Sequence, residues 1–178
     1  ASLEHFNRNK PLRFHSIIEK YKKVLEVDHN HLSIETCDEL RDFYDSFLGE
    51  EIEEEDRPDG NLFRADSVDV KTGTEKIIHQ GVFPESAIID TMTEALRILN
   101  DNTIELPIRV AIYHYLFGYI HPFYDGNGRT SRIISSYYIS REYHPLIGLR
   151  LSKVIKDNQK KYYDAFMITN SEYNRGDV

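Results

Sequence analysis

His121-Pro122-Phe123-Tyr124-Asp125-Gly126-Asn127-Gly128-Arg129-Thr130-Ser131-Arg132 separates two segments of helical pattern. On its N-terminal side, Pro107 sits where a first helical turn accepts it. Ile108, Ala111, Ile112, Tyr115, Leu116 and Tyr119 follow, and the segment is apolar almost all round, so it reads as a central helix. On its C-terminal side a helix is expected from near Gly126 to about Tyr143, before Pro145. The twelve residues between are therefore a loop ending in a helix N-terminus.

That loop concentrates chemistry. Gly126 and Gly128 allow backbone conformations closed to other residues, so successive N–H groups can converge on one point. The helix starting there adds the positive end of its dipole, a ready site for phosphate. Arg129 and Arg132, three apart, are neighbours on that helix and suited to clamping phosphate oxygens. Asp125 is the right hard oxygen ligand for Mg²⁺ on a nucleotide, and His121 is a candidate general base at neutral pH. Each piece alone is ordinary: a histidine before proline, a Gly-Asn-Gly turn, solvated arginines. One anion site accounts for all of them together.

Outward from the loop, helical spacing dominates. Ile17, Tyr21, Val24 and Leu25 form one apolar stripe. Thr36 to Glu39 has capping-box spacing, with Leu40, Phe43, Tyr44, Phe47 and Leu48 as the buried face and Gly49 as the stop. Pro84-Glu85 opens a helix burying Ile88, Met92, Ala95, Leu96 and Leu99. Ser152 is read as the cap of a last long helix with Val154, Ile155, Tyr162, Ala165 and Phe166 inward. Only residues 62–79 differ: Val68 and Val70 alternate with Asp69, Thr72-Gly73 turns, and Lys76-Ile77-Ile78-His79 returns as a second strand. Such a hairpin must lean on helices to be stable. The expectation is a mainly α domain carrying one short β-hairpin.

Composition narrows the class. The chain has 178 residues, a net charge of −8, one cysteine and no tryptophan. A single cysteine excludes an internal disulfide framework, and Cys37 reads as a buried thiol. No apolar run reaches the ~20 residues of a membrane span, and the polar first residues lack a signal peptide's apolar core. A cytoplasmic location is expected, or delivery from the cytoplasm as an effector. Residues 1–106 carry 12 basic and 24 acidic side chains, whereas residues 107–178 carry 10 and 6. Overall acidity argues against nucleic-acid binding, and the run Glu50 to Asp56 reads as a solvated loop.

The quoted stretch matches without a gap the signature of the Fic (filamentation induced by cAMP) family, His-x-Phe-x-Asp/Glu-Gly-Asn-Gly-Arg-x-x-Arg, and the chain resembles that family over roughly residues 60–178. Val68-Asp-Val to His79-Gln-Gly-Val-Phe-Pro84 resembles its β-hairpin flap; Tyr162-Tyr163 and Asn174-Arg-Gly-Asp-Val178 resemble later core segments. Residues 1–60 carry none of its motifs. The resemblance implies the Fic fold, a bundle of about six to eight helices with the flap over the active site. Residues 1–60 are then N-terminal helices packing on a 61–178 core, with the flap at 62–84.

The activity implied is protein adenylylation, in which AMP passes from ATP to a Ser, Thr or Tyr hydroxyl and pyrophosphate leaves. His121 would be the base and Asp125 the Mg²⁺ ligand. Gly126, the Asn127 side chain and Gly128 would form the anion hole, while Arg129 and Arg132 would stabilise the β- and γ-phosphates. Phe123 would be a core anchor. Lys76, Ile77, Ile78 and His79 would border the nucleotide and offer an edge to an extended target segment. Asn174 and Tyr163 would line the adenine pocket. Relatives that transfer other phosphate-containing groups, that remove AMP, or that only bind a nucleotide or partner mark the alternatives. Many family members carry a restraining Ser/Thr-x-x-x-Glu-Gly/Asn helix. Ser46 to Glu50 has that spacing, but Glu51 stands where Gly or Asn belongs. Restraint is then expected from a small antitoxin-like protein, from sequence outside a trimmed chain, or not at all.

Overall fold

A computed structural model describes residues 33–71, 77–171 and 173–174. The chain divides into two units after Leu32, and the described residues all belong to the second. The stripe from Ile17 to Leu25 and Lys76 lie outside them, as does the side chain of Ile78.

Thr36 caps the first helix, α1 (Cys37–Leu48), through the expected reciprocal box with Glu39. Leu40, Phe43, Tyr44 and Leu48 are buried, as is Cys37. A single 3-10 turn, Glu54–Asp56, follows. The hairpin pairs β1 (Asp69–Lys71) antiparallel with β2 (Ile77–Gln80), Val70 opposite His79, with an irregularity after Val70.

Next comes α2 (Glu85–Asn100), whose Ile88, Met92, Ala95, Leu96 and Leu99 are all inaccessible to solvent. It packs on α3 (Leu106–Ile120), and α3 packs in turn on α4 (Asn127–Glu142). Three short helices close the bundle: α5 (Pro145–Leu149), α6 (Leu151–Asp157) and α7 (Gln159–Thr169). Seven α-helices and one two-stranded sheet among the described residues make the mainly helical fold expected from the sequence.

Two details differ from that expectation. On α3 the deeply buried side chains are Leu106, Val110, Tyr113, Phe117 and Ile120. Ile108 and Tyr119, on the stripe read as core, are exposed. With both faces apolar, periodicity could not rank them. The deeper face meets the core, and the other meets the hairpin and α7, through Tyr119 on His79 and Tyr115 on Phe166.

The last long helix is in fact two. The first, α6, starts after Arg150, so Ser152 lies inside it rather than capping it. The break falls at Asn158, whose side-chain amide donates to the Val154 carbonyl at 3.0 Å and competes with continued helix. Val154 and Ala165 face solvent rather than inward, and neither segment fully buries a side chain.

Candidate active site

His121 ends α3 in the left-handed conformation, with φ 53° and ψ 60°. That turn sends Pro122 and Phe123 back into the core, where Phe123 is fully buried as expected. Tyr44 of α1 stacks on its ring at 3.7 Å between centroids, and the Tyr44 hydroxyl donates to the Asp125 carbonyl at 3.0 Å. Burial, chiefly, pushes the Tyr44 phenol up to about 12, so it stays a donor. The helix in front of the acidic run thus moulds the loop.

Gly126 is left-handed at φ 84°, and a Cβ there would meet Leu48 and Tyr44 at 3.0 and 3.1 Å. Gly128 meets a movable neighbour instead. It lies in the first turn of α4, and a Cβ would come within 2.9 Å of the Arg132 guanidinium. Asn127 is buried, and its side chain closes the loop on the Phe123 backbone: Oδ1 accepts from the N–H at 3.0 Å and Nδ2 donates to the carbonyl at 2.7 Å. One of the two Nδ2 hydrogens is thereby committed to shaping the loop.

The two arginines differ as well. Arg129 donates to Asp125 Oδ2 at 2.6 Å and to Glu51 Oε2 at 2.9 Å. Glu51 is only 22% exposed, and its neighbour Ile52 is buried. The acidic run is therefore anchored at its start, not wholly solvated. Arg132 has no carboxylate partner among the described residues and lines a cleft of about 210 Å³. His121, Asn127 and Gly128 line the same cleft, with His79 and Val70 from the hairpin and Tyr162, Tyr163, Phe166 and Asn170 from the last helix and its end.

Among the predicted site residues, His121, Asn127, Gly128, Arg132, His79 and Tyr163 thus share one cavity. Asp125 and Arg129 form their ion pair outside its lining. Ile77 is exposed on β2. Asn174 lies in a turn after α7, its N–H on the Ser171 carbonyl, and does not line the cleft; Asn170 does.

Among the described residues the His121 imidazole has one hydrogen-bond partner, the Gly118 carbonyl, 3.3 Å from Nδ1. A carbonyl only accepts, so the proton resides on Nδ1 and Nε2 keeps its lone pair. Burial above all depresses the His121 pKa to about 4, and the charges of Arg64 and His79 push the same way against Gly118 and Asp125. The ring is neutral at physiological pH.

Sequence reasoning missed two further residues. His114 bridges the Ser135 hydroxyl and the Tyr162 hydroxyl, at 3.1 and 2.8 Å, on the floor of the cleft. Burial, with Arg132 nearby, drops it to about 4 as well. Arg64, fully buried, lies behind His121. A lone arginine in a connecting segment carries no pattern that could have found it.

A stability prediction follows from the two histidines. Each folded-state pKa lies below the unfolded value, so the neutral form is the one folding favours. The stability they contribute is complete above about pH 6.5 and falls by ~1.4 kcal/mol per pH unit per histidine as pH drops toward 4. Urea midpoints should therefore decline between pH 6.5 and 5, before most carboxylates titrate. His114→Gln should flatten that slope in part, with His121 and the likewise lowered, half-buried His79 carrying the rest, and an equally steep slope in the variant would contradict the assignment.

The Fic/DOC family model matches residues 34–139, beginning well before the motifs near residue 60 that the sequence alone displays. "Protein adenylyltransferase Fic" of Culex quinquefasciatus is 38% identical over 65 residues, covering 36% of this chain and 12% of that protein. The protein of the same name from Drosophila persimilis is 39% identical over 66 residues, again 36% of this chain and 12% of that protein. The chain thus matches about an eighth of the length of these relatives. The crystal structure of a Fic family protein from Desulfovibrio desulfuricans G20 superposes with a TM-score of 0.69 at 23% identity, over 89% of this chain and 45% of that one, a likeness of fold. With the family's match spanning more than half its length and the neutral histidine, the Asn127-Gly128 turn and the hairpin gathered at one cleft, this chain belongs to the Fic/DOC family.

Proposed function

We propose that the chain transfers an adenylyl group from ATP to a hydroxyl side chain of a target protein. The observation that carries this reading is the single cleft in which a neutral His121, with Nε2 unprotonated, meets the N-terminus of α4 and Arg132. A base and an anion site that share a cavity suit displacement at phosphorus, where positioning and charge stabilisation do most of the work.

In the step proposed, the target hydroxyl gives its proton to His121 Nε2 as its oxygen bonds to the α-phosphorus. The bond from that phosphorus to the bridging oxygen breaks, and pyrophosphate leaves with the electron pair. Arg132 would hold the departing phosphates by charge-assisted hydrogen bonds. The backbone N–H groups at the start of α4 would hold the remaining oxygens. Tyr163 and Asn170 would border the base.

Asp125 fits Mg²⁺ as a single ligand, because that ion takes one or two carboxylates and completes its shell with phosphate oxygens and water. Among the described residues no cluster of three ligating side chains suits a metal held by protein alone. Mg²⁺ there would neutralise charge on the phosphates. To serve it, the Asp125 carboxylate would exchange its bond from Arg129.

The hairpin would receive the target. Strand β2 pairs with β1 alone, so its other edge has no strand partner among the described residues. Exposed Ile77 on that strand and Phe83 beyond it offer apolar contact. An extended segment added there would dock through main-chain hydrogen bonds.

ATP labelled at the α- or the γ-phosphate, incubated with the chain, Mg²⁺ and a lysate, tests the reaction. Label from the α-position on protein supports adenylylation; label from the γ-position alone overturns it in favour of phosphorylation.

Glu51 supplies a further prediction. Its carboxylate competes with phosphate for Arg129 in a pair that is mostly shielded from water. Glu51→Gln is expected to tighten Mg·ATP binding about two- to five-fold by titration calorimetry, the scale of a partly exposed ion pair. Weaker binding would mean that Glu51 serves chiefly to order the loop.

A further inference from the structure

Arg64 is the one arginine or lysine among the described residues with no exposed surface, and none of its hydrogen bonds there goes to a carboxylate. Its guanidinium is surrounded by carbonyls. Nε donates to His121 O at 2.8 Å, and Nη2 donates to Val82 O at 2.7 Å and to Ile120 O at 3.3 Å. Nη1 donates to Asp66 O, and the Arg64 backbone N–H donates to Pro122 O at 3.1 Å. A buried cation surrounded by acceptors at the C-terminal end of α3 is favourably placed, because that end of a helix carries partial negative charge.

Its partners fall into two groups. Ile120, His121 and Pro122 are the turn that carries the imidazole, and Val82 and Asp66 are the chain leaving and entering the hairpin. Gly81 N donates to Val68 O at 2.9 Å and Val82 N to Ile120 O at 3.1 Å, closing the same junction. The fit is tight: a Cβ on Gly81 would stand 2.6 Å from Arg64 Nη2 and 3.2 Å from His121 Cβ. His121 itself is held at φ 53°, a conformation that costs a non-glycine residue energy and persists only where surroundings enforce it.

We propose that Arg64 is a positioning residue for His121: its fork joins the hairpin to the end of α3 and enforces the left-handed turn that points the imidazole into the cleft. The role rests on His121 being the base, as proposed above. A lysine cannot replace it, since one ammonium lacks the planar fork that reaches carbonyls on both sides. A target strand docked on β2 would then be held in register with His121 through this side chain together with the Val82 N–H bond to the Ile120 carbonyl.

Arg64→Lys and Arg64→Gln test the proposal, with Leu99→Ala as a core variant of matched thermal destabilisation. Both Arg64 variants should lower the transfer rate at saturating ATP by roughly ten- to a hundred-fold, the scale for a misplaced catalytic group. The Kd for Mg·ATP should stay within about two-fold, the pattern of a loss felt only at the chemical step. Leu99→Ala should leave the rate nearly intact. Nitrogen-15 spectra should show His121 as the Nδ1–H tautomer in the parent and a mixture of tautomers in the Arg64 variants. Parent-like rate and tautomer in Arg64→Lys would overturn the proposal, as would Leu99→Ala losing as much rate. If the parent transfers nothing, the function reading fails separately; the tautomer comparison still supports or overturns the role of Arg64.

Discussion

His121→Ala is expected to lower adenylyl transfer by ~10²–10⁴-fold, the range for removing a general base, while ATP still binds. The imidazole is placed by its backbone rather than by the nucleotide, and its Nδ1 proton is directed to Gly118. Alanine therefore removes the acceptor without disturbing the loop that follows. Because burial holds the ring at about 4, the parent's rate should show its acidic limb near that pH. Above it, from pH 5 to 8, His121 adds no pH dependence. A fall in ATP affinity equal to the fall in rate would show that His121 works in binding, and an unchanged rate would remove it as the base. Intact-mass readout of modified target, with calorimetry for ATP, separates these outcomes.

Arg132→Ala is expected to cost ~10²–10³-fold in rate, comparable to deleting a donor aimed at developing charge. Here, unlike at His121, nucleotide affinity should fall too. Arg132 lines the cleft and its guanidinium lies over Gly128. It would contact the phosphates that depart, so ATP affinity should fall by roughly ten- to a hundred-fold, as for losing a hydrogen bond to a charged group. AMP, which lacks those phosphates, should bind the variant and the parent alike. Equal losses for ATP and AMP would place Arg132 at the α-phosphate or the base instead. Arg129→Ala should be milder, since Arg129 already answers to Asp125 and Glu51.

Much of this was legible in the residues. The capping box at Thr36, the helix from Pro84-Glu85 and the second helix from Asn127 are local signals, set by neighbours three and four apart, and the structure reproduces them. The cleft's core, His121 with Gly128 and Arg132, was legible because twelve consecutive residues carry it. Where pattern alone had to choose between two apolar faces, on α3, it chose the shallower one, since both faces are apolar and only their partners differ. The final helix was read as continuous because Asn158 breaks it through a local amide bond that no periodicity announces.

What the tertiary structure decided lies in contacts between distant residues. Glu51 meets Arg129 across 78 positions, His114 meets Tyr162 across 48, and Arg64 meets His121 across 57. The same distance argument separates Asn170 from Asn174: both follow the last helix, and the end of α7 alone determines which one borders the cleft. The sequence by itself determined the chemical inventory and the helices that carry it, because both depend on short-range spacing. Which arginine is occupied, which asparagine matters and what holds the histidine in its turn depend on packing, which has no period to read.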